Sequence, residues 1–315
     1  MACLRLNRRI IPRVRTFWNG GQRADYMIEL HERLSEYSYG YGVTRETEIL
    51  LEQRGMKAVP FMPNLIHEKK LGFDVGFNKP GAALMLQFKL GQSLQRFHNT
   101  SPTAPRPSLD TPFWRFSINT AEADGQFETL LNAELDGAEV YYVAPRFSDW
   151  SDYGRHFETG EVLDNSVLIQ PSVIRYALDD QGAADGPHRI VYDRTRVHVC
   201  SEPRRIKEIE AEDAVQQVSI SVRERQVPLG MLMEKLLNGL NERSAIRRER
   251  REDQKTVEPS RDGPRNEAYA RAQRERRLIK FMETAETREH AVAATLGVEL
   301  WTLGIQLLIA VEAEG

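Results

Sequence analysis

Two short stretches hold the residue types from which hydrolysis of a phosphodiester is assembled. Asp74 is followed, after twelve residues, by Gln87-Phe88-Lys89. Cleaving such an ester at neutral pH needs a hard divalent cation on oxygen ligands, a water made nucleophilic beside it, and positive charge against the transition state. Asp74 offers a carboxylate, Gln87 an amide oxygen and Lys89 an ammonium. Leu84, Leu86, Phe88 and Leu90 alternate with Met85, Gln87 and Lys89, the pattern of a strand with one packing face. Gln87 and Lys89 therefore share the other face, about 7 Å apart by strand rise.

The surrounding elements must bring Asp74 to that face. The pattern predicts a helix over Thr44–Arg54, capped by Thr44 and closed by Gly55, then a short edge strand at Lys57–Met62 interrupted by Pro60. Gly72–Phe77 and Ala82–Leu90 read as strands joined by the turn cluster Asn78-Lys79-Pro80-Gly81, a β-hairpin that sets Asp74 across from Gln87 and Lys89. After a proline-rich loop come a strand at Phe113–Ile118, a helix at Gln126–Leu135 that stops before Gly137, and a strand at Glu139–Ala144. Val167–Gln170 and Arg189–Tyr192 are further strands, which makes the first 200 residues a mixed α/β domain.

At this point the chain resembles the PD-(D/E)XK nuclease family, in the variant with Gln-x-Lys found in some Mrr-type restriction enzymes. The matching residues are Asp74, Gln87, Phe88 and Lys89, and the family core of helix, three strands, helix and strand has the element order expected across Thr44–Ala144. The resemblance covers about a third of the chain. It implies an α/β restriction-endonuclease-like fold and Mg²⁺- or Mn²⁺-dependent endonucleolytic cleavage of DNA, in restriction, phage defence or repair. It further implies that Asp74 is the central metal ligand, with the Gln87 side-chain oxygen and the Phe88 carbonyl beside it. Lys89 would orient or activate the attacking water, and a helix glutamate would complete the site. Glu48 fits that last position best, with Glu46 and Glu52 as competitors. Two departures stand out: Phe73 occupies the place of the family's proline, and Gln87 replaces an acid. The second leaves less charge to hold a cation, so the alternative reading is a catalytically silent nuclease-fold module that binds nucleic acid or a protein partner.

Composition sets the outer bounds. A chain of 315 residues with 41% apolar and 28% charged residues has material for a large core, and a net charge of -3 declares no overall basic field. Two cysteines exclude a disulfide framework and fit a reducing cytoplasmic compartment. No zinc spacing, Walker motif or dinucleotide fingerprint is present, and Gly40-Tyr41-Gly42 is too short for a phosphate loop. The expected organisation is a basic arm or transit segment over 1–26, the nuclease domain over 27–201, and a helical region over 202–315 with a charged linker around 241–267. Within the last region Ala291–Val311 reads as an amphipathic helix, suited to core packing or self-association rather than to a membrane. A purely structural subunit assembled through that helix is a third reading.

Overall fold

The strand that carries Gln87 is buried along its whole length because both its edges are paired and both its faces are covered. The computed structural model describes residues 34–62, 76–97, 105–121, 125–200, 202–253 and 263–313. In it β2 (Gly81–Phe88) lies at the centre of a five-stranded sheet with β1 (Met56–Pro60), β5 (Glu139–Pro145), β6 (Ser166–Ile169) and β10 (Ile305–Glu312), in the order β1-β10-β2-β5-β6. β10 runs antiparallel to both neighbours, with Ile305 opposite Gln87, and β5 runs parallel to β2, with Tyr142 opposite Gln87.

Two groups of helices cover this sheet. Ala82, Leu84, Leu86 and Phe88 face α1 (Glu36–Gln53) and α5 (Ala211–Arg225), meeting Tyr39, Val43, Val218 and Val222. Ala83 and Met85 face the opposite layer, formed by α2 (Gln126–Asp136), α6 (Leu229–Asp253) and α8 (Arg288–Thr302) through Phe127, Met233 and Leu296. Each fully buried Leu or Phe contributes about 1.5–3 kcal/mol of transfer free energy. The alternation read from the sequence is thus real, but it sorts residues between two buried layers rather than between core and solvent.

A second, wholly antiparallel sheet has the order β3-β4-β7-β8-β9, from β3 (Gln92–Leu94), β4 (Phe113–Asn119), β7 (Pro187–Tyr192), β8 (Val197–Cys200) and β9 (Pro203–Ile206). It extends the same core: Phe116 stacks on Tyr142 at 6.1 Å between ring centroids, and the Tyr192 hydroxyl donates to the Pro145 carbonyl at 2.9 Å. The remaining helices are α3 (Trp150–Thr159), α4 (Pro171–Asp180) and α7 (Gly263–Met282). The fold is mixed α/β, as expected.

Three local expectations are corrected. The first helix begins at Glu36, not Thr44, because Ser35 caps it by accepting from the Ser38 amide at 3.0 Å. Gly40 and Gly42 lie inside that helix, where the Phe88 and Tyr153 rings leave no room for a side chain. The β-hairpin of Gly72–Phe77 with Ala82–Leu90 is replaced: β2 takes β10 and β5 as its neighbours, while 63–75 lie outside the described residues. The helix expected over Ala291–Val311 ends at Thr302. Gly304, with φ of 72°, turns the chain, and Ile305–Glu312 enters the sheet as β10. Its run Leu307-Leu308-Ile309-Ala310 is apolar on both sides, as a strand buried on both faces must be, and periodicity cannot separate that from a buried helix. The region after 202 is accordingly helical through α5–α8 but closes with a central strand of the first sheet. Of the expected linker, 241–253 continue α6 and 263–267 open α7.

Candidate active site at the end of strand β2

Gln87 and Lys89 leave the strand on the same side, and Gln126 ties Lys89 to the turn that precedes β10. Gln126 is the first residue of α2, a position set by the neighbouring Gly125 cap, which places its side chain over the sheet's end. The Lys89 ammonium donates to Gln126 Oε1 at 2.7 Å, and Gln126 Nε2 donates to the Leu303 carbonyl at 2.6 Å. Gly304, next in the chain, is so close that a Cβ built on it would lie 3.7 Å from Gln87 Nε2 and 3.8 Å from Gln126 Nε2.

Gln87 itself is 1% exposed. Its Nε2 donates to the Phe88 carbonyl at 3.0 Å, which commits one lone pair of that oxygen. Among the described residues Gln87 Oε1 has no hydrogen-bond partner although it is buried. An amide oxygen left in that condition costs about 1–3 kcal/mol, which makes it the most conspicuous unmet acceptor near Lys89.

The acid that faces Lys89 is Glu36, at the start of α1. Burial draws the Lys89 ammonium below the ordinary lysine value, and the Glu36 charge works against that. Burial likewise raises the Glu36 carboxyl, and Lys89 pulls it back down. Each charge therefore acts on the other across the end of the sheet. Glu36 gets there because α1 is pressed onto the strand at Gly40, where a Cβ would stand 2.6 Å from the Phe88 ring.

The other helix acids have different surroundings. Glu46 is spent on structure: its two carboxylate oxygens accept from the Val162 and Leu163 amides at 3.0 and 2.7 Å. Glu48 is raised by burial and next by the charge of Glu52, and it sits about 18 Å along the helix axis from Glu36 at 1.5 Å per residue. Asp74 lies outside the described residues. Phe77, three residues later, is fixed at the other end of β2, where its carbonyl accepts from the Gly230 amide at 2.8 Å.

The sequence reading missed Glu36 and Gln126. Glu36 was legible in principle, since Ser35-Glu36-Tyr37-Ser38 is an N-cap followed by a first-turn acid, but the two glycines after it suggest a helix that starts later. Gln126 carries no local signal, because its importance comes from Lys89 and Leu303, distant in sequence.

A cavity of about 160 Å³ opens beside these residues, lined by Glu36, Tyr37, Gly40, Tyr41, Thr44, Met62, Phe88, Trp301, Gly304, Ile305 and Gln306. Its wall is shared with the polar cluster through Glu36, Phe88 and Gly304. Among the described residues no three His, Cys, Asp or Glu side chains gather closely enough to hold a metal ion. The oxygen suited to a hard cation beside Lys89 is instead the unpartnered Gln87 Oε1, one ligand where such an ion takes several. No helix among the described residues is long and apolar enough to cross a membrane. No protein-family model, curated protein or solved structure matches the chain.

Proposed function

We propose that the chain is a metal-dependent phosphodiesterase of the PD-(D/E)XK type, acting as an endonuclease on DNA. One observation carries the reading: the unpartnered buried amide oxygen of Gln87 and the partly desolvated Lys89 lie on one side at the end of a central strand, where Gln126 and Gly304 meet them. Support also comes from topology. The core of helix, three strands, helix and strand has a spatial counterpart in α1, the antiparallel trio β1-β10-β2, α2, and β5 parallel to β2. Its middle strand arrives from the C-terminal end of the chain rather than in sequence order.

On this reading Gln87 Oε1, beside Lys89, would be the oxygen offered to Mg²⁺ or Mn²⁺. Such an ion, when bound, would supply a water of lowered pKa and would offset charge on the phosphate oxygens. Lys89 then acts from a fixed position, because its hydrogen bond to Gln126 leaves two further ammonium protons to point at water or phosphate. Partial desolvation strengthens its field at the reacting oxygen. Gln126, held by the Leu303 carbonyl, keeps the ammonium from swinging into solvent. Glu36 is the acid of α1 whose charge acts on Lys89, whereas Glu48, the expected helix acid, lies about 18 Å further along the helix axis.

A module that keeps this arrangement but only binds nucleic acid or a protein is the second reading, favoured by Gln87 standing where the family has an acid, which leaves less charge to hold a cation. Incubating purified protein with plasmid, linear duplex and single-stranded DNA, with Mg²⁺, with Mn²⁺ or with chelator, decides between them. Metal-dependent cleavage lost in Glu36→Ala and kept in Glu48→Ala supports the assignment. Asp74→Ala in parallel tests the expected central ligand. Binding without cleavage under every condition leaves the second reading.

A further inference from the structure

The cavity at the end of β2 is bordered by aromatic side chains that the core does not need. Tyr37 is 75% exposed, Tyr41 53% and Trp301 38%, and all three line it. Tyr37 and Tyr41 lie one turn apart on α1 and so present neighbouring surfaces. Tyr41 also meets Phe157 at 5.9 Å between ring centroids, and the Arg45 guanidinium lies 4.7 Å above the Phe157 ring. Leaving such rings in water forgoes their burial energy, whereas a flat ligand entering between them recovers it.

The rest of the lining narrows what that ligand is. At about 160 Å³ the cavity has roughly ten times the room one water needs, the scale of one planar ring system and far less than a duplex requires. Its polar wall offers acceptors. Glu36 contributes a carboxylate. Gln306 spends its Nε2 on the Phe61 and Leu307 carbonyls, at 2.9 and 3.0 Å, so its side-chain oxygen is the group it has left to offer. Lys89 follows Phe88 in the chain and lies outside the lining, yet its ammonium and the Glu36 carboxylate of the cavity wall act on one another, which makes it the cation next to the cavity's polar edge.

We infer that this cavity receives one unpaired nucleobase of a single-stranded nucleic acid, stacked against Tyr37, Tyr41 and Trp301, with the neighbouring phosphodiester directed to Lys89. The inference rests on the phosphodiesterase reading and deepens it by naming the substrate class. Stacking on aromatic rings tolerates any base because each has a π-face. An edge of two acceptors favours bases that carry an exocyclic amine. Duplex ends and interiors do not present a base in this way without unpairing it.

Fluorescence anisotropy on the full chain in chelator, where cleavage is off, provides the test. The probes are a labelled DNA single strand, the same strand annealed to its complement, and the same strand carrying abasic positions. The single strand should bind more tightly than either of the others. Tyr41→Ala and Trp301→Ala should each weaken its binding about tenfold, and leave the duplex and abasic probes unchanged. Tyr41→Phe keeps the ring and should restore binding, which separates stacking from damage to the helix. If abasic and intact strands bind alike, or the aromatic variants lose nothing while Lys89-dependent cleavage persists, this inference falls and the nuclease reading stands. If no probe binds and no metal supports cleavage, both fall.

Discussion

Replacing Gly40 by alanine probes the contact that brings α1, and with it Glu36, to the end of β2. A Cβ at this position would lie 2.6 Å from Phe88 Cδ2 and Cε2, against about 3.5–4.0 Å for ordinary carbon contacts. Helix or ring must therefore retreat by about 1 Å. Overpacking of this kind costs roughly 1–3 kcal/mol, and alanine recovers about 1 kcal/mol of helix propensity, so the net expectation is a loss of about 1 kcal/mol. Urea unfolding of Gly40→Ala, Phe88→Leu and the double variant separates the two terms. In the Phe88→Leu background the clash is relieved, and Gly40→Ala should become neutral or stabilising, with a coupling of about 1–2 kcal/mol. Because Phe88 sits between Gln87 and Lys89, the single variant should also lose more cleavage activity than its stability change accounts for. A Gly40→Ala protein that is simply about 1 kcal/mol more stable than the parent would refute the packing described for α1.

Three further outcomes follow from the same geometry. Glu46→Ala strips the acceptors from the Val162 and Leu163 amides and should cost about 2–4 kcal/mol in urea unfolding; a change below about 0.5 kcal/mol would contradict its structural role. Asp193 is 1% exposed, and burial alone would raise it, but the Asp110, Thr195 and Arg196 amides and the Arg196 guanidinium together hold it below its ordinary value of 3.8. Its contribution is therefore full above pH 3.8 and lost as pH falls toward the folded value, so the stability gap to Asp193→Asn should narrow there, and a gap that persists well below pH 3.8 is the contrary result. Glu36→Gln removes the charge that supports the Lys89 ammonium, so the limb of the pH–rate profile that belongs to Lys89 should move to lower pH; an unmoved limb would show that the two groups do not interact.

Much of the framework was legible in sequence. The strands at 113–118 and 139–144 and the helix at 126–135 appear within a residue or two, because their apolar periods and glycine stops are local signals. The alternation of Leu84, Leu86 and Phe88 with Met85 and Gln87 also holds, and it puts Gln87 and Lys89 on one side. What could not be read is the partner of β2. A turn cluster directly before a strand suggests a hairpin, while the actual neighbour, β10, is more than 200 residues away and looks like the end of a helix. The site inherits the same gap. Leu303 and Gly304 reach Gln126 and Gln87 through that non-local pairing, and Gln126 meets Lys89 from a separate helix. Glu36 was hidden for a different reason: glycines ordinarily weaken a helix, and here they are tolerated because Phe88 and Tyr153 fill the space a side chain would take.

The account turns on Lys89, and Lys89→Met tests it most directly. Methionine keeps much of the apolar stem and removes the ammonium that bonds Gln126. With Mg²⁺ or Mn²⁺ the parent chain should cleave DNA and stop in chelator. The variant should lose at least about a hundredfold in rate, a share typical of a group that acts in the transition state, while unfolding in urea at a similar midpoint. Cleavage that survives in Lys89→Met, or a folded parent chain that cuts no nucleic acid with either metal, would contradict the assignment of this site.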